Sequence, residues 1–442
     1  MIGNSLPRDV MNRQLRPPIS LPFFYGWVVV ALSFLTTLMA AGIRSAPSVL
    51  IHPLEMEFGW NRAEIAFAVS VNLFLFGVGA PIGGWLLDRF GPRRVMLGSL
   101  SVLVVGAGAT AMMQHYWQLV LLWGVVVGLG AGGVGSVLSA TVAHQWFVAR
   151  RGLTLGILNS ASSTGQLIFL PLLMVLIVTS GWRAGSLFLA ASAFCLIPFV
   201  ASWMRNAPAD VGLTPYGSGE ASPLSHGGPT PSDASMIVPL SKVFKSPTFW
   251  LLAGSFFICG GTTSGLIGTH LIPHSIDYGI PAVSAAAIVG VMGSLNFVGT
   301  VLSGWLVDRI DARRLLSLVY ALRGVSLFIL PFVTDLRGLF LFAVIYGLDW
   351  FATVPPTIAL TADTFGRRSV ATIYGWVFLS HQIGAALAAS GSGAIRVWLG
   401  DYQFAFLAGG LMAMVAAMLA LRIRPQPRAV PLGPVPSEAA SA

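Results

Sequence analysis

From residue 24 to residue 422 the chain is a nearly continuous succession of apolar runs, and this pattern constrains its fold more than any other feature. A helical bilayer crossing takes about 20 apolar residues. Twelve runs meet that length, at roughly 24–46, 62–87, 95–114, 117–142, 153–179, 184–204, 247–272, 282–307, 315–334, 338–362, 370–396 and 402–422. The first can extend toward Leu54. Lipid offers no partners to free backbone groups, so a spanning segment is a helix or part of a closed barrel. No barrel-like alternation occurs, and helices are expected. Charged residues make up 9% of the chain, against about 25% in soluble domains. A mean hydropathy of +0.79 agrees with an integral membrane protein.

The net charge of +9 does not point to nucleic acid, because the basic residues cluster between the apolar runs. Placing residues 1–23 in the cytoplasm puts nineteen Lys and Arg on that side and four (Arg62, Arg183, Arg337 and Arg396) on the other. This asymmetry sets both termini inside, as in a bacterial inner membrane. Residues 1–20 read as a polar cytoplasmic segment and not as a cleaved leader. Residues 205–246 contain GSGEASPLSHGGPTPSDAS and read as a flexible cytoplasmic linker. The expected organisation is then a six-helix bundle at 24–204, that linker, a second bundle at 247–423, and a disordered tail at 424–442. Cys195 and Cys259 lie in apolar runs with no metal-binding spacing around them, so neither a metal nor a cofactor is expected. No P-loop, GxSxG or carboxylate pair supports an enzyme. The runs of glycine at 128–135 sit inside a span and suit close helix packing.

The halves repeat. GWLLDRFGPRR at 84–94 matches GWLVDRIDARR at 304–314, and the same offset of 220 carries Glu57-Phe58-Gly59 onto Asp277-Tyr278-Gly279. GWLLDRFGPRR is similar to the G-x-L-x-D-R-x-G-x-x-x-basic signature of the major facilitator superfamily. Gly84, Asp88, Arg89, Gly91, Arg93 and Arg94 fill its positions. The second copy keeps Gly304, Asp308, Arg309, Arg313 and Arg314, with Asp311 where glycine is usual. The resemblance implies an all-α membrane protein of twelve transmembrane helices in two pseudo-symmetric six-helix bundles. It also implies that these loops act as a conformational latch; the simpler reading is charge that sets topology. EFGWNRAEIAFAVS (57–70), WFVARRGLTLGI (146–157), GWR (181–183), PADVGLTPYG (208–217) and HLIPHSIDYG (270–279) resemble the monocarboxylate and oxalate/formate carriers.

A charge inside a span is a functional-site hypothesis by default. Arg44 stands 19 residues after Tyr25, about 28 Å along an ideal helix. Monocarboxylate carriers have a substrate lysine in the first helix, and aligning on the EFG motif puts that position at Ser45, beside Arg44. Arginine can hold a carboxylate bidentately and stays charged. The competing reading is an arginine snorkelling to the outer surface at Pro47. His381, beside Gln382, stands about where oxalate carriers have a substrate lysine; it can bind the anion, move a proton or simply pack. Asp349 can carry a proton or form a structural ion pair with Arg323. His270, near the outer end of span seven, is a third proton-coupling candidate. Asn159, Gln166 and Asn296 can hydrogen-bond cargo or bridge helices. Where monocarboxylate carriers place an Asp and an Arg in span eight, this chain has Asn296 and Thr300. The missing cation is then expected from Arg44 with His381, across one cavity.

The expected function is secondary active transport by alternating access. The cargo is a small organic anion, a carboxylate, moved by proton symport or exchange for a counter-anion, with the lipid bilayer as the other partner and a monomer as the working unit. Two alternatives are a proton-driven efflux carrier for neutral or cationic compounds and a transporter-derived membrane sensor.

Overall fold

A computed structural model describes residues 23–218, 239–307, 309–366 and 370–423. Asp308 of the second signature copy lies outside the described residues. Among them there is no β-strand, only an isolated bridge between Phe147 and Tyr216. Among the described residues, ten helices are long and apolar enough to cross a membrane.

One of these, Arg62–Thr110, has 49 residues, about 73 Å of ideal helix, and holds two passes. They part at Gly91, whose φ of 78° is open to glycine at little cost. Val370–Leu399, with 30 residues, adds a pass made more polar by His381, Gln382 and several Ser and Gly. The twelve passes follow the runs read from the sequence. They are Gly26–Phe58, the two within Arg62–Thr110, Tyr116–Trp146, Arg151–Ser180, Trp182–Trp203, Pro247–Asp277, Ala282–Val307, Ala312–Phe332, Leu336–Phe365, Val370–Leu399 and Gln403–Arg422.

The first pass is longer than the first apolar run. Pro47 interrupts it at Ala46, yet helix resumes over Pro47–Phe58, because proline suits a first helical turn. It ends at Gly59, left-handed with φ 69°. Two residues on, Asn61 and Glu64 form a reciprocal capping box, each N–H 2.9 Å from the other's side-chain oxygen. GWNRAE is thus a tight turn that places Arg62 at the start of the second pass.

Two long interfaces join the halves, beside a shorter one between Pro47–Phe58 of the first pass and Gly268–Asp277 of the seventh. The second pass packs on the eleventh, where the Ser70 hydroxyl lies 2.6 Å from the Ala386 carbonyl, and the fifth packs on the eighth. A shift of six passes exchanges these two interfaces, which is the pseudo-symmetry implied by the repeat. Within the first half, the glycine run at 128–135 lets helices touch: a Cβ on Gly79 would stand 2.9 Å from the Gly132 Cα. One face of the molecule gathers the basic loops, the start of the first pass and the end of the twelfth. There the Tyr25 hydroxyl donates to Trp203 O at 2.6 Å, and Arg313 donates to Ile423 O at 3.1 Å. We call it the basic face.

Candidate functional site

Arg44 occupies the last turn of Gly26–Ser45, where the carbonyl end of a helix favours a cation. Because the pass runs on to Phe58, Arg44 sits slightly past its middle and not at its end. Its guanidinium lies over the Phe76 ring, 4.3 Å from the centroid. It is half-buried and has no ion pair among the described residues.

Around it lies a cavity of about 50 Å³ between the halves. The first pass supplies Arg44, Ser45 and Ser48, the second Val69 and Leu73, and the fifth Gln166. From the other half come Ser264, Gly268 and Thr269 of the seventh pass and Trp350 and Phe351 of the tenth. The lining has one cation, no carboxylate, and hydroxyl, amide and aromatic groups. An anion fits this balance of charge. Asn159 stands two turns from Gln166 on the same helix face, toward the basic face, and is exposed.

His381 and Gln382 do not line this cavity, so the expected pairing of Arg44 and His381 across it is absent. His381 is buried, its ring stacked on Phe378 at 5.8 Å with 7° between planes. Phe378 meets Phe76 edge-on at 6.2 Å, so two aromatic rings separate His381 from Arg44. The His381 Nε2 approaches the Thr263 hydroxyl at 3.5 Å, while Nδ1 has no partner. Gln382 is packed against Gly77, where the second and eleventh passes cross.

Asn296 bridges helices. Its Nδ2 donates to the Ser163 hydroxyl at 2.6 Å, and its Oδ1 accepts from Phe351 N at 3.0 Å and from Thr300 at 3.1 Å. Asp349 is paired: Arg323 Nε lies 2.6 Å from its Oδ2, with both side chains buried in the second half. His270 is enclosed, its Nε2 donating to Ala389 O at 2.8 Å and its Nδ1 3.1 Å from the Tyr402 hydroxyl.

The signature loops show no latch between the halves among the described residues. Asp88, Arg89 and Arg94 are exposed, and Arg89 rests on Trp85 and Phe90. Arg93 donates to Ala201 O at 2.6 Å within its own half. In the second copy Arg309 lies over Trp305. Asp311 replaces the usual glycine because it caps the ninth pass, accepting from Arg313 N at 2.8 Å and pairing with the Arg313 guanidinium at 2.5 Å. That guanidinium holds the Asp311 carboxyl below the usual range.

Sequence reasoning missed a second cluster on the face opposite the basic one. Arg62 forms a fork with Asp277, Nη1 to Oδ2 at 2.5 Å and Nη2 to Oδ1 at 2.7 Å, and its Nε reaches Glu55 at 2.7 Å. Arg396 reaches Asp277 at 3.1 Å, and Tyr402 links Arg62 to His270. The signal was present in charged residues at the ends of spans, but only their topological use was read.

A family model described as Major Facilitator Superfamily matches residues 33–389. The chain is 26% identical over 419 residues to monocarboxylate transporter 12-B of Danio rerio, covering 89% of this chain and 86% of that one. It is 25% identical to monocarboxylate transporter 11 of Homo sapiens, covering 92% and 84%. The MFS-type transporter YcxA of Bacillus subtilis (strain 168) is also 25% identical, covering 89% and 92%. Among solved structures, a bacterial homologue of the human lysosomal transporter Spinster, inward-facing and unoccupied, shares the fold. Its TM-score is 0.73 at 16% identity, over 91% of this chain and 97% of that one. A match across most of the length, on halves that a shift of six passes interchanges, means that this chain belongs to the major facilitator superfamily of membrane transporters.

Proposed function

We propose that this transporter carries a small organic anion, a carboxylate, with Arg44 as its anchor. The observation that carries this reading is the unpaired Arg44 guanidinium, held in a cavity between the halves whose lining contains no carboxylate. An arginine left without a counter-charge at that depth is costly unless an anion visits it. Ser45, Ser48, Gln166 and Thr269 offer further hydrogen bonds. A cationic cargo finds no acidic partner in this lining. Two of the relatives are named monocarboxylate transporters, which supports the same class.

Transport proceeds by rocking the halves around the cavity. The Arg62–Asp277 fork closes the face opposite the basic one, while Asp88 is exposed and has no ion pair among the described residues, an arrangement suited to a state open toward the basic face. With that face in the cytoplasm of a bacterial inner membrane, both termini are inside and the state is inward-open. The six-helix units at 24–204 and 247–423, joined by the linker 205–246, move as a monomer against each other.

The test is a thermal-shift screen of the purified protein against mono- and dicarboxylates, then counterflow of the hits in proteoliposomes. Uptake driven by external acid identifies proton symport, and exchange indifferent to pH identifies antiport with a counter-anion. Absence of any carboxylate response, with a response to neutral or cationic compounds, rejects the reading.

A further inference from the structure

The tenth pass is broken where it reaches the cavity. Helix runs over Leu336–Asp349 and again over Val354–Phe365, with a turn at 350–353 between them. The sequence explains the break: Pro355 and Pro356 have no N–H for the carbonyls of Phe351 and Ala352. Irregular backbone survives at membrane depth only where other groups satisfy it.

Neighbouring passes supply those groups. Ser303 of the eighth pass donates to Ala352 O at 2.5 Å, the carbonyl that Pro356 leaves free. Asn296, two turns earlier on the same helix face, accepts from Phe351 N at 3.0 Å. Arg323 of the ninth pass donates from Nη2 to Asp349 O at 2.9 Å and to Trp350 O at 3.0 Å, while its Nε takes the Asp349 carboxylate. Its Nη1 reaches Cys259 Sγ of the seventh pass at 3.0 Å, and that sulfur lies 3.2 Å from the Thr353 hydroxyl. Of the turn residues so held, Trp350 and Phe351 line the Arg44 cavity.

We propose that Arg323, Asn296 and Ser303 are positioning residues for transport, holding the broken turn so that Trp350 and Phe351 form the cavity wall in the second half. The Arg323–Asp349 pair is therefore more than a helix staple: an ion pair alone needs one guanidinium edge, and here Nη2 goes to the carbonyls of Asp349 and Trp350, at the start of the turn, while Nη1 goes to Cys259. Asn296 carries the link into the first half through Ser163, one turn from Gln166 on the fifth pass. The proposal rests on the reading of the Arg44 cavity as the cargo site.

The experiment uses full-length protein in proteoliposomes with Cys195→Ser as background, and each rate is read above that of the same variant without an added cysteine, because Arg323 contacts the buried Cys259. Phe351→Cys reports the turn, and Ser48→Cys reports the first-pass wall of the same cavity, each by its rate of reaction with a hydrophilic methanethiosulfonate. Arg323→Lys keeps a charge for Asp349 but loses the fork. It is expected to raise the Phe351→Cys rate about ten-fold and leave the Ser48→Cys rate within about two-fold. Ser303→Ala, which removes one hydrogen bond, moves the same rate in the same direction and serves if Arg323→Lys does not fold. With lactate as the transport probe, Arg323→Lys raises KM about ten-fold per folded transporter at a maximal rate within about two-fold. An unchanged Phe351→Cys rate in the variants overturns the proposal, as do equal rises at both cysteines, which mark general loosening. Arg44→Ala with unaltered lactate KM removes the cargo-site reading instead, and the labelling rates still decide what holds the turn.

Discussion

Arg62, the first residue of the second pass, and Asp277, the last of the seventh, form a two-bond fork of 2.5 and 2.7 Å that joins the two halves. Bidentate arginine–carboxylate pairs are among the stronger hydrogen-bonded ion pairs. Breaking a fully buried one costs about 3–5 kcal/mol. Here Asp277 remains 22% exposed, so a smaller effect is expected, about 1–2 kcal/mol after allowance for solvent screening. Asp277→Asn should therefore increase opening at this face about ten-fold. The measurement is the labelling of Ser48→Cys by an impermeant thiol reagent added from that side. An unchanged rate removes the fork as a closure.

Arg44→Lys retains the charge and loses the planar fork. If Arg44 holds a carboxylate, the lysine variant should transport with KM raised about ten-fold, and Arg44→Ala should lose anion uptake with normal membrane levels. Equal uptake by wild type and Arg44→Ala would remove Arg44 from the site.

His381 is separated from the cavity by the stacked Phe378 ring. His381→Gln should accordingly leave the KM for a transported anion within about two-fold. Direct binding uptake assays check this. A ten-fold loss of affinity means that His381 meets cargo in a state with a different packing of the eleventh pass.

Asp311 lies outside the membrane-spanning segments, and its carboxyl is held low by the Arg313 guanidinium. A depressed carboxyl stabilises the fold above its unfolded pKa of about 3.9 and loses that effect as pH falls through the lower folded value. Between pH 5 and 8 it is ionised in both states. Asp311→Gly should thus lower the melting temperature equally at pH 5 and pH 8. A shift at one pH only contradicts this assignment of the cap.

Much of the architecture was legible before any coordinates. Apolar runs of sufficient length and arginines at their ends predict the passes, since lipid enforces helices. The Asp311 substitution in the repeat was visible, but its reason was not: a cap is recognised by the direction of a side chain relative to an N–H. Arg44 was legible as a cation within a span, and Arg323 with Asp349 as a possible pair, because unpaired charge is expensive in lipid wherever it falls. The separation of His381 from the Arg44 cavity has an equally local cause. Its helix was placed correctly, but a helix has several faces, and Phe378 one turn earlier fills the face toward Arg44.

Sequence alone determined the twelve crossings, the duplicated halves, the family signature and the few charges that lie within spans. These follow from composition and period, which act along the chain. Tertiary structure decided which charges have partners: Arg323 finds Asp349, Arg62 finds Asp277, and Arg44 finds an aromatic ring and open space. Pairing between helices depends on their rotation and close approach. Those are set by small residues, prolines and buried hydrogen bonds contributed from passes far apart in the chain.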